Sequence, residues 1–112
     1  MKKKTENYLE KIPCHKNALE WSQDENGIVT LEVQNKGAAN RIAQLLLKKP
    51  KISYIHLEEF GSFVWTSIDG KRDILAIGEL VKERFGDKAE PLYERLAQYV
   101  KTLESNNFIT IN

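Results

Sequence analysis

The 112-residue chain carries 17 Lys and Arg against 16 Asp and Glu, a formal net charge of +1. That length suits one domain, residues 1–112, able to bury a core without staples, and the near-neutral balance argues against a surface given over to nucleic-acid phosphates or anionic lipid. A single cysteine, Cys14, excludes an internal disulfide, and the basic start MKKK is followed by no signal-type apolar stretch and no run long enough to cross a bilayer; the expectation is a soluble, cytoplasmic protein with no membrane partner.

Residues 1–12 read as a solvated tail, flexible or turning helical near Tyr8 and Leu9. In ALEWSQDENGIVTLEV, Leu19 and Trp21 lie on one side, and Val29, Leu31 and Val33 alternate inward against Ile28, Thr30 and Glu32. Asn26-Gly27 between the two runs predicts a hairpin with a type I′ turn, because both residues tolerate positive φ. A short amphipathic helix over 38–48 follows, with Ala38, Ile42, Leu45 and Leu46 on one stripe and Pro50 as its stop. KISYIHL is a third strand, Ser53, Ile55 and Leu57 facing one way and Ile52, Tyr54 and His56 the other.

From Leu57 the period changes to that of a helix. Leu57, Phe60, Gly61, Val64 and Ile68 share a stripe, with Phe63 and Trp65 on its shoulders and Ser62 and Thr66 opposite. Gly61 costs a helix about 1 kcal/mol against alanine, so its place in the buried stripe predicts a backbone or large ring in close approach. Ser62 reads as a solvated hydroxyl, since no Gly-x-Ser-x-Gly frame or base accompanies it. Asp69-Gly70 makes a turn and Asp73 caps a second helix, Ile74 to Phe85, closed by Gly86. Asp87 and Glu90 have capping-box spacing with Pro91 in the first turn, opening a third helix to about Ser105. Its apolar positions, Leu92, Tyr93, Leu96, Ala97, Tyr99, Val100 and Leu103, cover more of the wheel than one core needs, which points to a second contact on that helix or to tyrosines lying over the core edge. Phe108 to Ile111 can add a short strand. The expected fold is α+β and winged-helix-like: a three-stranded antiparallel sheet followed by a three-helix bundle, with an extra short helix between strands two and three.

Nothing in the chain has catalytic spacing: no Walker A, His-Glu-x-x-His or Cys-x-x-Cys. Glu58 and Glu59, adjacent on a helix, point apart and favour its N-terminus. Cys14, His15 and His56 lack the separated-pair spacing of a structural zinc site, so no metal or cofactor is expected; Cys14 and His15 read as exposed and His56 as partly buried and hydrogen-bonded. From Asp87 to Asn107 acids outnumber bases by one, the wrong sign for a recognition helix on DNA. The better basic patch is Arg41, Lys48, Lys49 and Lys51.

ISYIHLEEFGSFVWTSIDGKRDILAIGELVKERFG, a third helix and Phe108-Ile109 together resemble the PqqD family, named for coenzyme pyrroloquinoline quinone (PQQ) synthesis protein D. The shared pattern is a leucine ending a strand, a helix with a small residue and a tryptophan, Asp-Gly, a polar cap and an apolar series ending in Phe85; residues 52–109 match best. Members usually carry Asn or Asp where this chain has Glu58, and Thr or Ser where it has Asp73. The resemblance implies a non-catalytic winged-helix-like domain that takes the leader of a ribosomally made precursor peptide as an added strand and presents it to a radical S-adenosylmethionine (SAM) enzyme. It places the peptide on the strand edge Ile52, Ser53, Tyr54, Ile55, His56 and Leu57, and over Leu92, Arg95, Leu96 and Tyr99 of the third helix. An exposed edge offers unpaired N–H and C=O groups to such a strand, and Arg95 can meet an acidic leader residue or remain an exposed charge near Glu94 and Glu90. The same features leave open a winged-helix nucleic-acid binder and a regulatory protein that self-associates as a homodimer through its edge.

Overall fold

In a computed structural model of the chain the described residues are 8–17, 19–34 and 52–112. The helix expected over 38–48, the tail before Tyr8 and the patch of Arg41, Lys48, Lys49 and Lys51 lie outside them. Strand β1 is Pro13–His15, β2 Glu20–Gln23, β3 Val29–Gln34 and β4 Ile52–His56; helices α1 (Glu59–Ser67), α2 (Ile74–Phe85) and α3 (Leu92–Ser105) follow, then β5, Ile109–Ile111. The α+β class is as expected. β2, β3 and β4 form an antiparallel sheet in that order, and β1 pairs with β5 in a separate antiparallel ribbon.

The period-2 pattern sets the sheet. Leu31 stands opposite both Trp21 and Ile55, and Val29 and Leu31 are sealed from solvent against Val64 and Trp65 of α1, Ile74, Ile77 and Val81 of α2, and Leu96 and Val100 of α3. Each such side chain contributes about 1.5–3 kcal/mol by leaving water. The hairpin forms as predicted, but its turn differs. Asp24 N–H donates to Ile28 O and Gly27 N–H to Asp24 O, both 3.0 Å; Gly27 has φ +86°, while Asn26 is not among the positive-φ residues. This is a three-residue loop closed by a glycine, held by the Asp24 carboxylate, which accepts from Asn26 N–H (2.8 Å) and Ile28 N–H (2.9 Å). The Asp24 carboxylate takes the Ile28 N–H that a two-residue turn would bond to Glu25 O, and so favours the longer loop.

α2 has the predicted limits. Asp73 Oδ1 accepts from Ala76 N–H at 2.8 Å, and the N–H of Gly86 donates to Lys82 O. The capping box ahead of α3 does not form: Gly86–Ala89 is a single 3₁₀ turn, Pro91 is the residue that precedes the helix, and the Glu90 carboxylate accepts from Leu92 N–H at 3.3 Å. Asp87 is spent inside that turn, so it cannot serve as the cap.

The β1–β5 ribbon ties the start of the described chain to its end. Ile12 and Asn112 exchange two backbone hydrogen bonds of 3.0 Å, and Lys16 N–H donates to Phe108 O. Lys11 O in turn accepts from Ile74 N–H at 3.0 Å, and Tyr8 and Leu9 pack on the core.

Candidate functional site

Among the described residues β4 is an outer strand of the sheet, as β2 is on the other side, and the direction of its backbone follows from one bond. Leu57 N–H donates to Val29 O at 2.8 Å; because successive peptide groups alternate, the N–H and C=O of Tyr54 and His56 point away from β3. Ile52 opens the strand opposite Gln34, Ser53 stands opposite Val33, Tyr54 opposite Glu32, Ile55 opposite Leu31 and His56 opposite Thr30. Tyr54 is 60% exposed, and the His56 ring shares a 2.7 Å hydrogen bond with Thr30 Oγ1 on the surface, so His56 is less buried than expected. Leu57 is turned inward and buried, beyond the reach of a ligand.

Where β4 passes into α1, Ser62 does work that the helical wheel did not reveal. Its side chain is 1% exposed, and its Oγ accepts from Val29 N–H (2.8 Å) while donating to Leu57 O (3.1 Å). Val29 and Leu57 make one direct bond; the second rung of that pair is relayed through the serine hydroxyl. The expectation of a solvated hydroxyl is thus overturned, and the partners, 33 and 5 residues away, explain why the wheel missed it. The inserted hydroxyl spreads the strands where the chain must leave the sheet.

Just beyond Leu57, Phe60, Arg95, Gln98, Tyr99 and Thr102 line an open groove of about 270 Å³ between the start of α1 and the outer face of α3. The Arg95 guanidinium carbon lies 4.6 Å from the centre of the Phe60 ring, and its Nη1 donates to Lys88 O at 2.8 Å. Tyr99 meets Phe60 edge to face at 6.0 Å and passes over Gly61, where a methyl group would come within 2.7 Å of the tyrosine Cζ. The close ring predicted for Gly61 is therefore Tyr99. Burial, and then the nearby Glu58 carboxylate, push the Tyr99 phenol up to about 12. Glu58 itself makes no side-chain cap bond to α1.

Of the helix residues expected at the site, Arg95 and Tyr99 are brought together, whereas Leu92 (4% exposed) and Leu96 (0%) are in the core. They can hold the groove's floor but cannot touch a ligand. Phe60, Gln98 and Thr102 were missed; Arg95, Gln98, Tyr99 and Thr102 follow the i, i+3, i+4, i+7 spacing of one helix face, a signal hidden because that face is mostly polar.

His15 is half-buried, contrary to expectation. Its ring stacks on Trp65 at 4.0 Å, meets Trp21 edge-on, and its Nε2–H donates to Trp65 O at 2.9 Å. Burial lowers its pKa below 6.5, opposed by that hydrogen bond. Cys14 is also half-buried, its sulfur beside Gly70. The two histidines thus sit on different sheets with separate partners.

The family model described as coenzyme PQQ synthesis protein D (PqqD) matches residues 36–109, more than half of the chain. The chain belongs to the PqqD family. No curated protein and no solved structure matches it. In this PqqD-family chain the matched span holds β4, the three helices and the groove, while β1, β2 and β3 precede it. The strand that pairs with β4, and the backbone N–H that Ser62 satisfies, therefore come from outside the part the family model covers.

Proposed function

We propose that this PqqD-family protein is a non-catalytic, cytoplasmic peptide-binding module in the biosynthesis of PQQ or of another product made from a ribosomal peptide. It captures the leader of the precursor as a strand added to β4 and presents it to a radical SAM enzyme. The sheet and the helices after it form a winged-helix-like frame for that task. Family membership supports the pathway class, and one observation supports the binding mode: among the described residues β4 is an outer strand whose Tyr54 and His56 peptide groups turn away from β3, and a side-chain groove opens at Phe60, where the chain leaves that strand for α1. Main-chain pairing supplies affinity that depends little on sequence, and the groove adds selection.

Tyr54→Pro is the discriminating variant. It deletes an N–H that points away from β3, so the β3–β4 ladder keeps its bonds while the edge loses a donor. The tagged protein and this variant are to be used for affinity purification from the native cell, with mass spectrometry of what is retained and a nuclease-treated control. The expected result is a short peptide or a radical SAM enzyme held by the wild type, with the peptide lost on Tyr54→Pro at unchanged circular dichroism. Peptide retained equally by both proteins would refute the strand-addition mode. Recovery of nuclease-sensitive nucleic acid alone, or of a second copy alone, would replace this reading with a nucleic-acid binder or a self-associating protein.

A further inference from the structure

We infer that the groove selects peptides by a carboxylate, and that Arg95 is the residue that reads it. This inference rests on the peptide-binding reading above and adds the chemistry that the peptide must carry. Arg95 is the one formally charged side chain among the groove's lining residues. Its position is fixed on two sides: Phe60 covers one face of the guanidinium at 4.6 Å, and Lys88 O takes one N–H at 2.8 Å. The remaining N–H groups lie in the guanidinium plane, the geometry that matches the two oxygens of a carboxylate. No carboxylate of the described residues satisfies them, since the ion pairs there are Arg72–Asp69 and Arg84–Glu59. Glu94, next in sequence, and Glu90 form no ion pair with it.

The rest of the lining sets the context of the acid. Phe60 and Tyr99 line the groove with aromatic surface suited to an apolar or aromatic neighbour, and Gln98 and Thr102 offer polar contacts to peptide groups. Glu58, whose charge reaches the Tyr99 phenol, disfavours a peptide acid beside that phenol and leaves Arg95 as its partner. The occupant is thus a peptide segment with an acidic group at one fixed place beside an apolar one. An Asp or Glu side chain and a peptide C-terminus share that chemistry.

The test uses a random-peptide library displayed with both ends blocked, and a second library with free C-termini, each selected against the folded full chain. Selection of blocked peptides with Asp or Glu enriched at one position relative to an apolar residue is expected, and enrichment confined to the free-terminus library assigns the contact to a terminal carboxylate. With Arg95→Gln the acidic preference should disappear and the best acidic peptide should bind about five- to tenfold more weakly, the range for a partly exposed, charge-assisted pair. Arg95→Lys should retain part of the preference and Arg95→Glu should turn it toward Lys or Arg. Peptides enriched without an acidic position, or an acidic preference that survives Arg95→Gln, would overturn the inference while leaving strand addition standing, provided that those peptides are lost on Tyr54→Pro. A failure of both libraries to enrich any peptide would overturn both readings.

Discussion

Ser62 shows how much one hydroxyl can decide. A helix that starts three residues after a strand needs room for its first turn, and the hydroxyl makes that room without leaving Val29 N–H or Leu57 O unpaired. Removing it does not let the strands close, because Ser62 N–H is already committed to Glu58 O at 2.7 Å in that first turn. Ser62→Ala is therefore expected to lose about 1–3 kcal/mol, the cost of a buried polar group left without its partner, read as a lower urea midpoint at unchanged slope. A substitution on the exposed Thr66, which bonds only within its own helix, should change stability by less than about 0.5 kcal/mol. Sequence periodicity could place Ser62 on the helix but could not reveal two backbone partners on other segments. The same limit hid the carboxylate of Asp24, whose bonds override the Asn-Gly turn preference.

The helices meet through a repeated device. α3 sends Tyr99 over Gly61 of α1 and Tyr93 over Gly78 of α2, and at Gly78 too an added methyl group would collide with the ring. Both glycines lie on buried helix faces, where an alanine would raise helix propensity but leave no space for the ring. Gly61→Ala is thus expected to destabilise by about 1–3 kcal/mol despite the gain in propensity, and adding Tyr99→Ala should make the second substitution cheaper than it is in the wild type. A double-mutant cycle by chemical denaturation reads that coupling, and strict additivity would show that the ring and the glycine are independent. The glycine half of this arrangement was legible, because a glycine in a buried stripe asks for a close neighbour. Its partner was not: Tyr99 shared a wheel with apolar residues that face the core and with polar ones that line the groove, and only the crossing of α1 and α3 separates them. The limits of α2 were fully readable because Asp73 and Gly86 act locally.

Across the whole molecule, the ribbon of β1 and β5 was the least legible feature. Two three-residue strands, one beginning with a proline, carry too little pattern to announce their pairing, which only a long-range closure makes. The ribbon reaches the sheet and α1 through His15, packed between Trp65 and Trp21. This has a pH consequence. In the folded chain the His15 pKa lies below 6.5, so as pH falls below 6.5 the unfolded state takes up this proton more readily, and stability is lost until the folded pKa is passed. Thermal melts from neutral to mildly acidic pH should show this fall, and His15→Phe, which retains a stacked ring, should reduce its slope even if its melting temperature is lower throughout. An unchanged slope would mean that His15 does not couple protonation to folding.

The ribbon also has a mechanical meaning. Ile12 and Asn112 sit side by side at its open end, so a force drawing these two residues apart loads the hydrogen bonds one after another rather than all at once. The next hydrogen-bonded pair of the ladder is Cys14 with Thr110, two residues further in. Under tension the molecule should yield first as a zipper at this seam, at low force, before the load reaches the three-stranded sheet.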